Sequence, residues 1–324
     1  MKVVFMGTPE FAVPALQQLI KHHDVVAVCT QPDRRAGRGH KMQMSPVKTL
    51  ALSAGVEVLQ PETLRIKKSP AGDAIQLNAE TKKIRDYLNL LNADIFVVAA
   101  YGLLLPKAVL DMPRFGCINI HASLLPKYRG ASPIHAAIKD GETTTGITIM
   151  YMDAGIDTGD MILQRELAIG PEERFQSLHD RMAALGGVCI IDALAQLEAG
   201  TAARTAQDDS KSSYAPMIQK TDALIQWSWP TARIINLTRA FDPWPGPYTL
   251  YNGESLKIWR VERHDTAAGL TPGTVLISDP TKGLLVSTGD GAAWILEMQS
   301  AGGKRMSARD YLRGRDIGVG EILG

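Results

Sequence analysis

The stretch Ile118-Asn119-Ile120-His121-Ala122-Ser123-Leu124-Leu125-Pro126-Lys127-Tyr128-Arg129-Gly130 is where residue types and spacing first suggest chemistry. It opens as a strand of alternating apolar and polar residues and closes in turn-forming ones. On a period of two, Asn119 and His121 share one face while Ile118 and Ile120 point the other way. An amide supplies hydrogen-bond donors, and an imidazole gives or takes a proton near neutral pH. At a rigid strand end the pair suits a reaction in which a carbonyl carbon becomes tetrahedral and its oxygen gains negative charge. Residue types alone leave a second reading open, in which both side chains only satisfy buried backbone.

Two further stretches carry chemical potential. Asp153-Ala154-Gly155-Ile156-Asp157-Thr158-Gly159-Asp160 is a glycine-punctuated loop with three carboxylates, following a strand predicted for Gly146 to Met152. A catalytic carboxylate and a set of turn-capping ones both fit that pattern. Gln31 to Lys41 carries Arg34, Arg35, Arg38 and Lys41 among Pro32, Gly37 and Gly39. The Pro and Gly residues rule out a regular helix or central strand and predict a mobile cationic loop. Such a loop suits phosphate contacts, and equally well a solvated surface.

The elements that must position these residues read as an α/β chain. Lys2 to Gly7 is a buried strand; Thr8 is the expected N-cap, and Pro9 the first residue, of a helix through about Ile20. The lone Gly7 lacks the G-x-G-x-x-G spacing, so no dinucleotide site is supported. Strands follow at Val25–Cys29, Val56–Leu59 and Ile95–Ala100, with helices from Ser45-Pro46 to Gly55, Lys82 to Leu91 and Ser132-Pro133 to Ile138. A long helix runs from Pro171-Glu172 to about Ala199. This alternation predicts a Rossmann-like, mostly parallel sheet domain over residues 1–200. Residues 201–217 are polar and read as a linker. From 218 to 324 one helix near Pro230 is followed by five short strands, separated by turns such as Asn252-Gly253 and Asp290-Gly291. That pattern predicts a small OB-like β-barrel.

Composition narrows the classes. The chain has 324 residues, is 45% hydrophobic and 21% charged, and carries a formal charge of +1, so nucleic-acid contact would need local basic patches. One such patch is Lys304 to Arg315, with five basic residues against one acidic; residues 201–324 as a whole balance 14 basic against 13 acidic. Cys29, Cys117 and Cys189 lie far apart in apolar surroundings, which predicts buried reduced thiols rather than a disulfide frame or a zinc site. The N-terminal residues run straight into a strand, and no apolar run is long enough to span a bilayer, so a cytoplasmic protein is expected.

Asn119-Ile120-His121-Ala122-Ser123-Leu124-Leu125-Pro126-Lys127-Tyr128-Arg129-Gly130, with Asp157-Thr158-Gly159-Asp160 downstream, resembles the folate-dependent formyltransferases. Gly7-Thr8-Pro9-Glu10-Phe11-Ala12, Gln31-Pro32-Asp33-Arg34, Ala36-Gly37-Arg38-Gly39, Ser45-Pro46-Val47-Lys48, Ala100-Tyr101-Gly102 and Phe241-Asp242-Pro243-Trp244-Pro245 are similar to its methionyl-tRNA branch. The resemblance covers essentially the whole chain. It implies formyl transfer from 10-formyltetrahydrofolate to the α-amine of methionyl initiator tRNA, by direct attack and without a metal. Asn119 would donate to the oxyanion, His121 would assist at that oxygen or move a proton, and Asp157 would orient and charge-tune His121. Ser123, Leu124, Leu125 and Pro126 match the folate-contacting segment, where exposed backbone groups and apolar side chains are expected to hold the cofactor. Leu103 and Leu104 read as core residues that also suit the same pocket. Arg34, Arg35, Arg38 and Lys41 would meet the acceptor end of the tRNA, Arg38 foremost. The C-terminal barrel would hold the stem of a tRNA bound to a monomer; Trp244, flanked by two prolines, reads as a packing anchor in preference to a stacking platform for a base. The chain departs from the family at Arg35, where Pro is usual, at Ala122, where Gly is frequent, and in a surface insertion near 65–81. An amino-sugar formyltransferase, a hydrolase of the same donor and a non-catalytic RNA-binding module are the rivals. The cationic loop argues against the first two, and the intact Asn119, His121 and Asp157 set against the third.

Overall fold

A computed structural model describes residues 1–36, 41–65, 79–265 and 269–324. Arg38 and most of the expected insertion at 65–81 lie outside the described residues, as do the side chains of Arg35 and Lys41. The chain divides into two compact units. One comprises Met1–Gly130, Thr145–Leu167 and His179–Tyr214; the other comprises Ala131–Thr144, Ala168–Leu178 and Ala215–Gly324.

The strands of the first half are β1 (Lys2–Gly7), β2 (Asp24–Cys29), β3 (Arg34–Ala36), β4 (Lys41–Gln43), β5 (Val58–Leu59), β6 (Ile95–Ala99), β7 (Cys117–His121), β8 (Thr144–Tyr151) and β9 (Met161–Ala168). The main sheet runs in the order β5-β2-β1-β6-β7-β8-β9. It is parallel from β5 to β7, and β8 pairs antiparallel with β7, giving a mostly parallel, Rossmann-like α/β sheet. Central β6 is buried at every position, as a strand covered on both faces must be. The helices of this half are α1 (Val13–His22), α2 (Pro46–Ser53), α3 (Ala79–Leu90), α4 (Lys107–Leu110), α5 (Pro133–Lys139) and α6 (Phe175–Glu198). Ser45 caps α2, accepting the Lys48 amide at 3.0 Å, with Pro46 in the first turn.

Three readings of this half need correction. Thr8 does not cap a helix, because its hydroxyl donates to the Tyr101 carbonyl at 3.1 Å and accepts the Gln31 amide. The chain instead makes a 3₁₀ turn at Glu10–Ala12 before α1 begins, with Pro14 in the first turn of that helix. The cationic stretch is also not a loop throughout: β3 and β4 pair antiparallel, with Arg34 opposite Gln43. Finally, β9 has no counterpart in the sequence reading. It is an edge strand whose centre, Gln164-Arg165-Glu166, is exposed, and its apolar start, Met161-Ile162-Leu163, is only three residues long.

The second half contributes α7 (Thr231–Ala240), α8 (Ala308–Gly314) and an antiparallel sheet. Its strands are β10 (Tyr248–Tyr251), β11 (Glu254–His264), β12 (Val275–Asp279), β13 (Gly283–Thr288), β14 (Gly291–Ser300) and β15 (Met306–Ser307). They follow the order β10-β11-β14-β13-β12, with β15 added on β14. Asn252 and Gly253 join β10 to β11 with positive φ at both, 51° and 78°, the geometry that matches hairpin twist. Trp244 is not the packing anchor expected: its residue is 52% exposed. Among the described residues no helix is long and apolar enough to cross a membrane.

All three cysteines are buried and free. Burial pushes the Cys29 thiol up to about 12 and the Cys189 thiol up to about 11, and it raises Cys117 as well.

Candidate active site

The last residues of β7 place Asn119 and His121 where the strand leaves the sheet. His121 is 5% exposed, and its register partner on β8 is Thr148. The ring Nε2 lies 2.9 Å from the Tyr128 carbonyl oxygen, which only accepts, so Nε2 carries the proton of that bond. This leaves Nδ1 facing Asp157 Oδ2 at 3.6 Å. Asn119 Nδ2 points to the other carboxylate oxygen, Oδ1, at a long 3.4 Å. The three sequence-predicted side chains therefore converge, with one carboxylate spanning an amide and an imidazole.

Geometry separates the three carboxylates of the 153–160 loop. Asp153 accepts the Gly155 amide and the Thr158 hydroxyl, a turn-capping role within the loop. Asp160 is paired with Arg204 at 3.7 Å on the surface. Only Asp157 turns toward β7, and it does so from a left-handed backbone at φ 54°, a conformation that Asp tolerates better than most residues. Its Oδ2 accepts the Gly130 amide at 2.8 Å, which fixes the carboxylate against the end of the Asn119–Gly130 stretch. Gly159 lets the loop fold back onto the sheet: a Cβ there would lie 1.9 Å from the Tyr151 carbonyl oxygen.

The 123–128 strap is tied down from beneath. Ser123 is fully buried and donates to the Lys127 carbonyl at 2.6 Å. The Thr148 hydroxyl donates to the Ser123 carbonyl at 2.6 Å and accepts the Leu125 amide at 3.2 Å, while Gln164 donates to the Leu125 carbonyl at 2.9 Å. These backbone groups are thus consumed within the protein, and Leu124 and Pro126 are the strap's partly exposed apolar side chains. Gly146 makes room for the first of them, since a Cβ there would meet the Leu124 side chain at 2.6 Å. Leu103 packs partly buried against the core, whereas Leu104 is 53% exposed and is not a core residue.

Segment 201–214 contributes what the sequence reading missed. Ser213 accepts the Tyr128 amide at 2.9 Å on its hydroxyl and the Arg129 amide at 2.9 Å on its carbonyl. Gln207 donates to the Asp157 and Gly159 carbonyls at 2.9 and 2.8 Å. Thr148 was signalled faintly, as a polar residue inside an apolar strand; nothing in the polar 201–214 run singled out Gln207.

The expected tRNA-contact residues are placed in part. Arg34 stands exposed on β3 and donates to Gln31 at 2.7 Å. In the C-terminal patch Arg305 is paired with Glu297 and Asp242, and Arg313 with Asp310, so these two charges are already partnered. Among the described residues no group of three or more His, Cys, Asp or Glu is placed to hold a metal.

Comparison with known proteins gives the geometry its context. Residues 1–194 match the formyl transferase family model, and residues 217–316 match the model of its C-terminal domain. The chain is 48% identical over 324 residues to a methionyl-tRNA formyltransferase of Caldanaerobacter subterraneus, covering the full length of both chains. It is 47% identical to one of Paracidovorax citrulli, covering all of this chain and 98% of the other. Among solved structures, an N-formyltransferase from Helicobacter canadensis, in complex with folinic acid and dTDP-3-aminofucose, superposes with a TM-score of 0.64 at 19% identity. That match covers 94% of this chain and all of the other, and it reports a shared fold. With both family models matched and near-half identity held from end to end, the chain belongs to the formyl transferase family, among its methionyl-tRNA formyltransferases.

Proposed function

We propose that the chain transfers the formyl group of 10-formyltetrahydrofolate to the α-amine of methionyl initiator tRNA, giving N-formylmethionyl-tRNA for translation initiation. The observation that carries the reading is the convergence of Asn119, His121 and Asp157 at the end of β7. Folate, consumed as co-substrate, supplies an electrophilic formyl carbon bonded to a nitrogen leaving group. The site fits it chemically: amide, imidazole and carboxylate would face the formyl end, and Leu124 and Pro126 would lie beside the flat ring system.

The residues divide the work as follows. The neutral amine attacks the formyl carbon, so no protein nucleophile is required. Asn119 donates to the oxygen that gains charge as the carbon becomes tetrahedral, an effect worth on the order of 3 kcal/mol at comparable sites. His121, held by the Tyr128 carbonyl at Nε2, exchanges protons at Nδ1. The Asp157 carboxylate faces that nitrogen and stabilises the imidazolium form while the amine's proton moves toward the leaving nitrogen. By the sequence reading residues 1–200 carry this chemistry, 201–217 join them to 218–324 and the latter hold the tRNA; residues 201–214 also pack within the first compact unit, beside Asp157. The C-terminal sheet is read as an OB-like barrel. Supporting this, the final residues bond both to β10, through Gly324 to Leu250, and to the approach to β12, through Leu323 to Gly273. Arg34, Arg35, Arg38 and Lys41 on and between β3 and β4 meet the acceptor end.

The test is formyl transfer from 10-formyltetrahydrofolate with methionyl initiator tRNA, an amino-sugar nucleotide and water as alternative acceptors, using the wild type and Arg38→Ala. Transfer to the tRNA alone, weakened by the Arg38 change, is expected. Transfer to sugar or water with indifference to Arg38 overturns the substrate assignment.

A further inference from the structure

Gln207 lies in a stretch that reads as a linker, yet its side-chain amide has a defined partner on each side. Nε2 donates to the carbonyls of Asp157 and Gly159, and Oε1 accepts Arg129 Nε at 3.0 Å and Arg129 Nη2 at 2.8 Å. Arg129 continues to Asp209 Oδ1 at 2.7 Å. A primary amide has two N–H donors and one oxygen with two lone pairs, and here all are used. The orientation is therefore fixed, because a flipped amide would set its oxygen against two carbonyls and its N–H groups against a guanidinium.

One of the two carbonyls it holds is that of Asp157, the left-handed residue whose side chain faces β7, and the other is that of Gly159, two residues on. The Arg129-Gly130 dipeptide reaches this loop twice, once through Gln207 and once through the Gly130 amide on Asp157 Oδ2. We infer that Gln207 is a positioning residue for Asp157: it clamps the 153–160 turn to the end of the Asn119–Gly130 stretch and so sets the carboxylate's place opposite Asn119 and His121. Gln207 touches no reacting group, and its effect passes through Asp157. The inference rests on the catalytic reading of Asp157 given above.

Gln207→Glu and Gln207→Ala separate the contacts. Glutamate keeps an acceptor for Arg129 but has no N–H for the two carbonyls; alanine loses both. Both variants are expected to lower kcat about 30- to 100-fold, the cost of misplacing one catalytic group, with KM for tRNA and donor within about threefold. In an Asp157→Asn background the same changes should cost less than about threefold, because the group they position is already gone. Amide hydrogen exchange supplies a readout independent of substrate: Gln207→Glu is expected to speed exchange in 153–160 while β7 and β8 stay protected. Additive losses in the double variants, or wild-type exchange in 153–160, overturn the inference. If the wild type fails to formylate methionyl-tRNA, the proposed function falls, and the exchange arm alone decides the clamp.

Discussion

Replacing Asp157 with Asn tests the charge at the centre of the site while keeping its shape. An amide at 157 retains an oxygen for the Gly130 amide and occupies nearly the same volume. It removes the negative charge facing His121 Nδ1 and, with the oxygen kept at Gly130, also the long-range acceptor of Asn119. Two opposite unit charges at 3.6 Å attract by about 4–5 kcal/mol at an effective dielectric constant of about 20. The Asp157 side chain is 17% exposed, so water trims this to about 3–4 kcal/mol, which is about 10²- to 10³-fold in rate. Single-turnover formyl transfer to methionyl initiator tRNA is the assay, because it isolates chemistry from product release. Asp160→Asn serves as the control; its carboxylate is 42% exposed, pairs with Arg204 at the surface, and should change the rate by less than about threefold. A rate for Asp157→Asn within about tenfold of wild type would refute the claim that this carboxylate stabilises an imidazolium in the transition state.

Asn119→Ala should lower kcat about 100-fold with little change in KM, since on the proposed mechanism the lost donor acts on charge that develops only in the transition state; a change confined to KM would contradict this. Thr148→Val strands the Ser123 carbonyl and the Leu125 amide beneath the strap, so it should cost about 1–3 kcal/mol in urea unfolding and raise KM for the folate. A variant with wild-type unfolding would show that the strap does not depend on that hydroxyl. Thiol titration at pH 8 should find Cys29, Cys117 and Cys189 unreactive until denaturant is added, because burial raises all three; rapid labelling of the native protein would contradict their burial. Asp290 takes the N-terminal amide of α7, and that bond, with the Thr231 hydroxyl and Arg263, holds its carboxyl down at about 2. A depressed carboxyl stabilises the fold above its ordinary range and loses that contribution as pH falls through about 2. Discounted for a side chain 37% exposed, Asp290→Ala should cost about 1 kcal/mol at pH 7 and nearly nothing near pH 2. A gap that persists in acid would mean that the charge is not what matters.

How much of this was legible in the sequence depended on how local the cause was. The parallel strands, the Ser45-Pro46 helix start and the Asn252-Gly253 hairpin follow from nearest-neighbour chemistry and appear where that chemistry puts them. Thr8 has the right type and place for a cap, but its hydroxyl is claimed by Tyr101 and Gln31, partners 93 and 23 residues away. The edge strand β9 is weakly marked for a different reason: its exposed polar centre breaks the apolar signal after Met161-Ile162-Leu163. Trp244 looked like a packing residue because prolines flank it, yet flanking residues do not bury a side chain. In the site, alternation correctly set Asn119 and His121 on one face, while the choice among Asp153, Asp157 and Asp160 required the fold. Gln207 lay beyond sequence reasoning, since its four bonds join stretches 48 to 78 residues apart.

The position of the site follows from where the sheet changes direction. Parallel strands carry their following loops to one edge, where ligands of open α/β sheets bind. At β7 the neighbour on one side is parallel β6, and on the other antiparallel β8. The antiparallel register brings Thr148, in the interior of β8, opposite His121, the last residue of β7. A strand interior is the stiffest place from which to hold a strap by its backbone, and Thr148 does so through Ser123 and Leu125. The chain leaving β8 then passes beyond Met152 into the 153–160 loop, which returns Asp157 to Asn119. One strand thus supports the apolar strap and delivers the carboxylate. The spacing between Leu124 and Asp157 is set by β8 as a unit, and a bulge inserted in β8 between Thr148 and Tyr151 should uncouple them. Both side chains would survive such an insertion, but on the proposed mechanism they would no longer address the same substrate.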